Sequence, residues 1–143
     1  MKNYFAYGSN LALAQMRRRC PDARVLGTGR IDGYRWIINS RGVATIVPSA
    51  DALVWGTIFS LSLSDERSLD TYEGVGSGLY TKQYLPVETG NGQVECLVYV
   101  ARDAREGTPR DEYVRRIQEG LRDANLPEEY VRKYITPLLQ TTA

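Results

Sequence analysis

Residues 24–61 read RVLGTGRIDGYRWIINSRGVATIVPSADALVWGTIFSL. Four runs rich in β-branched and aromatic residues lie in this stretch: RVLGTGRI at 24–31, YRWIINS at 34–40, VATIVPS at 43–49 and LVWGTIFSL at 53–61. Gly, Asn, Asp and Ser punctuate them, which is the pattern of consecutive strands. No helical segment separates them, so there is no βαβ rhythm and the sheet must be mostly antiparallel. Gly56, inside the fourth run, marks either a bulge or a place where another backbone comes close.

Working outward, KNYFAY at 2–7 is a short aromatic strand. LYTKQYLPVET at 79–89 and QVECLVYVAR at 93–102 make a hairpin around Gly90-Asn91-Gly92. Helices fill the gaps. LALAQMRRRC at 11–20 follows a turn at Gly8-Ser9-Asn10, with Ser9 or Asn10 as its cap. DERSLDTYE at 65–73 follows Ser64 as cap, with Asp65 and Glu66 in the first turn. A third helix starts at Thr108-Pro109 and repeats Tyr113, Ile117 and Leu121 along one face. A last one begins at Pro127 and is ended or kinked by Pro137. The expectation is an α+β fold: a mostly antiparallel closed β-barrel of seven short strands, flanked by α-helices, as one domain over residues 1–143.

Composition limits the chemistry. The chain has 143 residues, 18 basic and 17 acidic side chains and a net charge of +1, which gives no electrostatic case for nucleic acid or a membrane surface. No apolar run reaches the roughly 20 residues of a membrane helix, and MKNYFAYGSN lacks a signal-peptide core, so a soluble cytoplasmic protein is expected. There is no histidine. That removes the Ser-His-Asp triad, the Cys-His pair and histidine metal ligands. Cys20 and Cys96 are too few for a cysteine zinc site and are expected to be reduced. No metal and no cofactor is expected. Acid–base chemistry would fall to carboxylates, lysine or the 10 tyrosines.

Three places could carry that chemistry. Tyr7-Gly8-Ser9-Asn10 runs from a strand end into a helix start, so several backbone N–H groups point one way, a nest for a carboxylate or phosphate. It would serve equally as a plain turn in which Gly8 takes a positive φ and Asn10 caps. Glu73 stands four residues after Leu69, beside the apolar stripe and in the last helical turn. Desolvation and the negative end of the helix dipole would both raise its pKa, as a general base or acid requires. Its alternative is an ordinary exposed glutamate. Tyr80 and Tyr113 could orient a carboxylate or donate to an oxyanion, or be core aromatics. Arg17-Arg18-Arg19 reads as a solvated helix end. Gly74-Val75-Gly76-Ser77-Gly78 follows a helix rather than a strand and is no dinucleotide loop.

YFAYGSNL at 4–11, ATIVPS at 44–49, VWG at 54–56 and LDTYEGVGSGLY at 69–80 occur in the order and spacing of the γ-glutamylcyclotransferases. PRDEY at 109–113 and LPEEY at 126–130 add to the likeness. The sequence resembles that family, and the wider AIG2-like group with its γ-glutamylamine cyclotransferases, over roughly residues 4–134. Residues 24–43 are shorter and less similar than in eukaryotic glutathione-pathway members. The resemblance implies the cyclotransferase type of barrel and release of 5-oxoproline from a small γ-glutamyl amide. The family's catalytic glutamate falls on Glu73. Its substrate-cradling segment falls on Tyr4, Phe5, Ala6, Tyr7, Gly8, Ser9 and Asn10, with Tyr80 and Tyr113 beside the site. The amine half of the substrate and the oligomeric state stay open. So do two other readings: a binding module for a γ-glutamyl or carboxylate ligand, and an amide hydrolase.

Overall fold

In the computed structural model, which describes residues 1–140, five strands close into a barrel in the order β1-β3-β2-β4-β5. The strands are β1 (Lys2–Ala6), β2 (Arg24–Ile38), β3 (Ala44–Leu61), β4 (Tyr80–Thr89) and β5 (Gly92–Ala101). All neighbours pair antiparallel except β1 with β5, which run parallel where Tyr4 meets Leu97. The barrel is α+β, as expected, but five strands replace seven.

The difference is physical. The four runs of residues 24–61 are two long strands of 15 and 18 residues, bent rather than broken. β2 passes through Gly33 at φ +83°, and its register on β3 shifts between Asp32 and Tyr34. The kink lets one strand serve two walls of the barrel, so a punctuating glycine was a bend and not an end. Gly56 is a close approach: a Cβ there would lie 2.1 Å from the Ala6 carbonyl oxygen. That contact brings β1 tight against β3. The core inside comprises Phe5, Ile31, Trp36, Ile46, Val54, Leu69, Val87 and Leu97, all buried.

The helices are α1 (Leu13–Arg19), α2 (Leu63–Tyr72), α3 (Asp111–Ala124) and α4 (Glu128–Tyr130). Three of their starts differ from the sequence expectation. Ser9–Leu11 is a separate 3-10 turn, and Ala12 is extended before α1, so neither Ser9 nor Asn10 caps that helix. In α2 the cap is Ser62 rather than Ser64: Ser62 is extended and its Oγ accepts the Asp65 N–H at 3.1 Å. In α3 the start moves from Thr108-Pro109 to Asp111, with Arg110 still extended. Residues 108–110 pack on the turn at Gly42, where a Cβ would be 3.1 Å from the Thr108 carbonyl, and this contact holds them out of the helix. The chain after Pro127 begins α4 as expected, then passes through a π turn at Val131–Ile135 into a 3-10 segment at Thr136–Leu139 that holds Pro137.

Candidate active site

One pocket of about 320 Å³ opens at the end of the barrel where β1 runs into its 3-10 turn. That is the size of a small-molecule site. Its floor is set by Tyr7. The Trp36 indole N–H donates to the Tyr7 carbonyl at 2.9 Å, and the Tyr7 hydroxyl donates to the Tyr99 carbonyl at 2.6 Å. Held at both ends, Tyr7 fixes the next residue. Gly8 sits at φ −124° and ψ −130°, not at a positive φ. What it supplies is room: a Cβ would lie 3.2 Å from Ala44 Cβ and 3.5 Å from the Tyr113 hydroxyl. Gly8 and Ser9 line the pocket, and no acceptor among the described residues takes their backbone N–H groups. Two unspent donors on one wall can hold an oxygen anion.

Asn10 is a brace rather than a cap. Its Nδ2 donates to the Tyr4 hydroxyl at 3.0 Å, while its Oδ1 accepts from Gln15 at 3.0 Å and Arg19 at 3.1 Å. The Ser9 hydroxyl accepts a second bond from Gln15 at 2.9 Å. The turn is thereby tied to β1 and to α1. Phe5 and Ala6, which the resemblance placed in the cradle, are buried core residues that do not line the pocket. Strand alternation accounts for Phe5, which points opposite to Tyr4. The Ala6 carbonyl faces Gly56 of β3 instead.

Glu73 is the residue at the C-terminal end of α2, its N–H bonded to the Leu69 carbonyl at 2.8 Å. The chain then reverses through Gly74 at φ +65°, where a side chain would strike Leu79. This turn delivers Tyr80 to the same pocket. The Glu73 carboxyl lines the cavity, half-buried, and makes no hydrogen bond or ion pair among the described residues. Burial pushes its pKa up to about 7, against the opposing charge of Arg19. Its negative charge in turn helps raise the pKa of Tyr4, Tyr7, Tyr80 and Tyr113, which line the same pocket. For each of these phenols burial is the larger cause.

Tyr80 and Tyr113 bond the backbone of one residue, Ala44, rather than Glu73. Tyr80 donates to the Ala44 carbonyl at 3.0 Å, and Tyr113 accepts the Ala44 N–H at 2.9 Å. Their hydroxyls pin the start of β3 at the pocket wall. Several lining residues escaped the sequence reading, Arg19, Tyr99 and Arg41 among them. Arg19 is half-buried, bonds Asn10 and stacks on the Tyr72 ring 4.5 Å from its centroid, so the arginine run is not wholly solvated. Tyr99 donates to Asp70 at 2.7 Å, and Asp70 is paired with Lys82 at 3.1 Å. Arg41 stands on the turn between β2 and β3. Among the described residues no cluster of three or more His, Cys, Asp or Glu side chains could hold a metal ion, and both cysteines are free and buried.

With this geometry in view, the relatives are informative. Residues 53–134 match the AIG2-like family. The chain is 33% identical to a gamma-glutamylcyclotransferase of Homo sapiens and 31% identical to that of Mus musculus, in each case over 91% of this chain and 75% of the relative. A solved gamma-glutamyl cyclotransferase superposes with a TM-score of 0.88 at 30% identity, covering 99% of this chain and 89% of the other. An AIG2-like protein from Mus musculus, at 20% identity and a TM-score of 0.60, shares the fold. The barrel thus belongs to a known lineage, and this chain is a member of the AIG2-like family on its gamma-glutamylcyclotransferase branch.

Proposed function

We propose that the pocket binds a γ-glutamyl amide and converts it to 5-oxoproline and a free amine. The observation that carries the reading is Glu73: an unpartnered carboxyl, poised near neutrality, in one pocket with the unspent N–H groups of Gly8 and Ser9. The names of the relatives support it.

The α-ammonium of the substrate cannot attack until a base takes a proton. Glu73, ionised above its pKa of about 7, is that base. The freed amine attacks its own γ-carbonyl carbon, a C–N bond closes the five-membered lactam, and the original amide C–N bond breaks. In net, two protons leave the α-nitrogen and two reach the departing nitrogen, which leaves as an ammonium ion. Glu73 carries them, because the other carboxylate of the pocket, Glu112, is engaged by Arg116. The Gly8 and Ser9 N–H groups hold the α-carboxylate or the developing oxyanion. The braced turn and the pinned Ala44 peptide hold the glutamyl chain folded on itself, an orientation effect worth up to several kcal/mol. Free, buried thiols suit a reducing compartment, and we assign the reaction to the cytoplasm.

Product analysis tests the reading. Incubation with γ-glutamyl-alanine should release 5-oxoproline and alanine in equal amounts. Free glutamate in place of 5-oxoproline would mean that water attacks, and neither product would leave a binding module.

A further inference from the structure

The pocket carries more positive charge than a γ-glutamyl group can use. Four arginines line it, against Glu73 and Glu112. Arg116 is paired with Glu112 on α3. Arg19, Arg41 and Arg110 have no carboxylate partner among the described residues. Arg19 is the cation that lowers the pKa of Glu73, so it belongs to the reacting end. Arg41 and Arg110 stand on segments that touch: a Cβ at Gly42 would lie 3.8 Å from the Arg110 backbone nitrogen. Two arginines without a carboxylate partner therefore line the cavity from adjoining segments of the chain.

A γ-glutamyl head is a zwitterion whose ammonium and carboxylate are matched by Glu73 and by the Gly8 and Ser9 N–H groups. It leaves the charge of Arg41 and Arg110 unanswered. The part of the substrate beyond the γ-carbonyl is the departing amine. We infer that Arg41 and Arg110 form a subsite for carboxylates on the departing amine, so that the preferred substrates are γ-glutamyl conjugates of acidic amino acids. The inference rests on the cyclotransferase reading. Guanidinium forks hold carboxylates in a two-point geometry, which a lysine pair would not. Both side chains are exposed, so each pair contributes modestly and is screened by salt.

The test uses three near-isosteric substrates: γ-glutamyl-aspartate, γ-glutamyl-asparagine and γ-glutamyl-asparaginamide, whose departing amines carry two, one and no carboxylates. Each carboxylate should raise kcat/KM about 5-fold, the upper end for an exposed ion pair, and 0.5 M salt should flatten the ladder. Arg41→Gln and Arg110→Gln should each remove one rung, losing more on the aspartate conjugate than on the asparaginamide. Affinities of the three for the Glu73→Gln protein, measured by calorimetry, read the same ladder without turnover. If no substrate yields 5-oxoproline but that affinity ladder stands, the cyclotransferase reading fails and the subsite survives. Affinities and rates within 2-fold across the three, or a ladder unchanged in both arginine variants, would overturn the subsite.

Discussion

Replacing Glu73 by Gln should give two effects of opposite sign. Gln keeps the size and the hydrogen-bonding capacity of the side chain, so the end of α2 and the Gly74 turn are undisturbed. It cannot accept a proton, and general acid–base catalysis is typically worth about 10²–10⁴-fold. One group serves both the attacking and the departing nitrogen, and the chain has no histidine to stand in, so turnover should fall toward the upper part of that range. Stability should move the other way. Burial raises the Glu73 pKa from 4.5 to about 7, so the folded protein binds this proton more tightly than the unfolded chain does. Between those pH values stability therefore declines as pH rises, and above them the buried charge costs about 3 kcal/mol at most. Urea denaturation of the wild type should show that decline between pH 5 and pH 8, while Glu73→Gln, which never ionises, should lack this contribution and be the more stable protein at pH 8. The wild-type kcat/KM should fall as pH drops through about 7, where the base becomes protonated. A folded Glu73→Gln protein keeping more than about a tenth of wild-type turnover would refute the assignment of the base. An equal stability difference at pH 5 and pH 8 would refute the account of its environment.

Three further substitutions probe the scaffold. Tyr113→Phe deprives the buried Ala44 N–H of its acceptor and should cost about 1–3 kcal/mol in urea denaturation, with KM raised by the loosened wall. Equal stability and KM would return Tyr113 to a purely packing role. Gly56→Ala places a Cβ 2.1 Å from the Ala6 oxygen, a backbone atom that cannot step aside, and should destabilise by about 3 kcal/mol. A melting temperature within a degree of wild type would show that β1 does not lie so close. Asp70→Asn keeps an acceptor for the Tyr99 hydroxyl but loses the charge that faces Lys82, so it should lose about 1 kcal/mol and keep most activity, provided 5-oxoproline release is measured on folded protein.

The barrel was legible because strand chemistry is local. β-branched and aromatic runs, the Gly90-Asn91-Gly92 hairpin and the absence of crossover helices could all be read along the chain, and the hairpin does pair Thr89 with Gly92. Strand number was not legible, because a glycine that ends a strand and one that bends it look alike in sequence. Gly33 bends, and only the pairing of Asp32 and Tyr34 with β3 on either side of it decides so. Helix starts failed for a related reason. Ser62 and Ser64 are both good caps, and the choice depends on which is extended. Thr108-Pro109 is a good start, overruled by its contact with the Gly42 turn.

The site divides along the same line. Glu73 could be singled out because its pKa is raised mainly by the burial that its spacing from Leu69 predicts. The arginine run shows how reading by composition misleads. Arg17, Arg18 and Arg19 are adjacent in sequence, but each helical step turns about 100°, so three neighbours cannot share one face. Ala12, Gln15 and Met16 are buried, and Arg19 falls three and four residues beyond the last two, on the same stripe. That spacing was present in the sequence and would have separated Arg19 from its two exposed neighbours. Arg41 and Arg110 carry no such mark. They line one pocket only because the turn between β2 and β3 packs on the approach to α3, a contact between segments nearly seventy residues apart. A general base can be read from one helix. The charge preference of a pocket mouth is a property of the tertiary fold, and the leaving-group ladder tests that property directly.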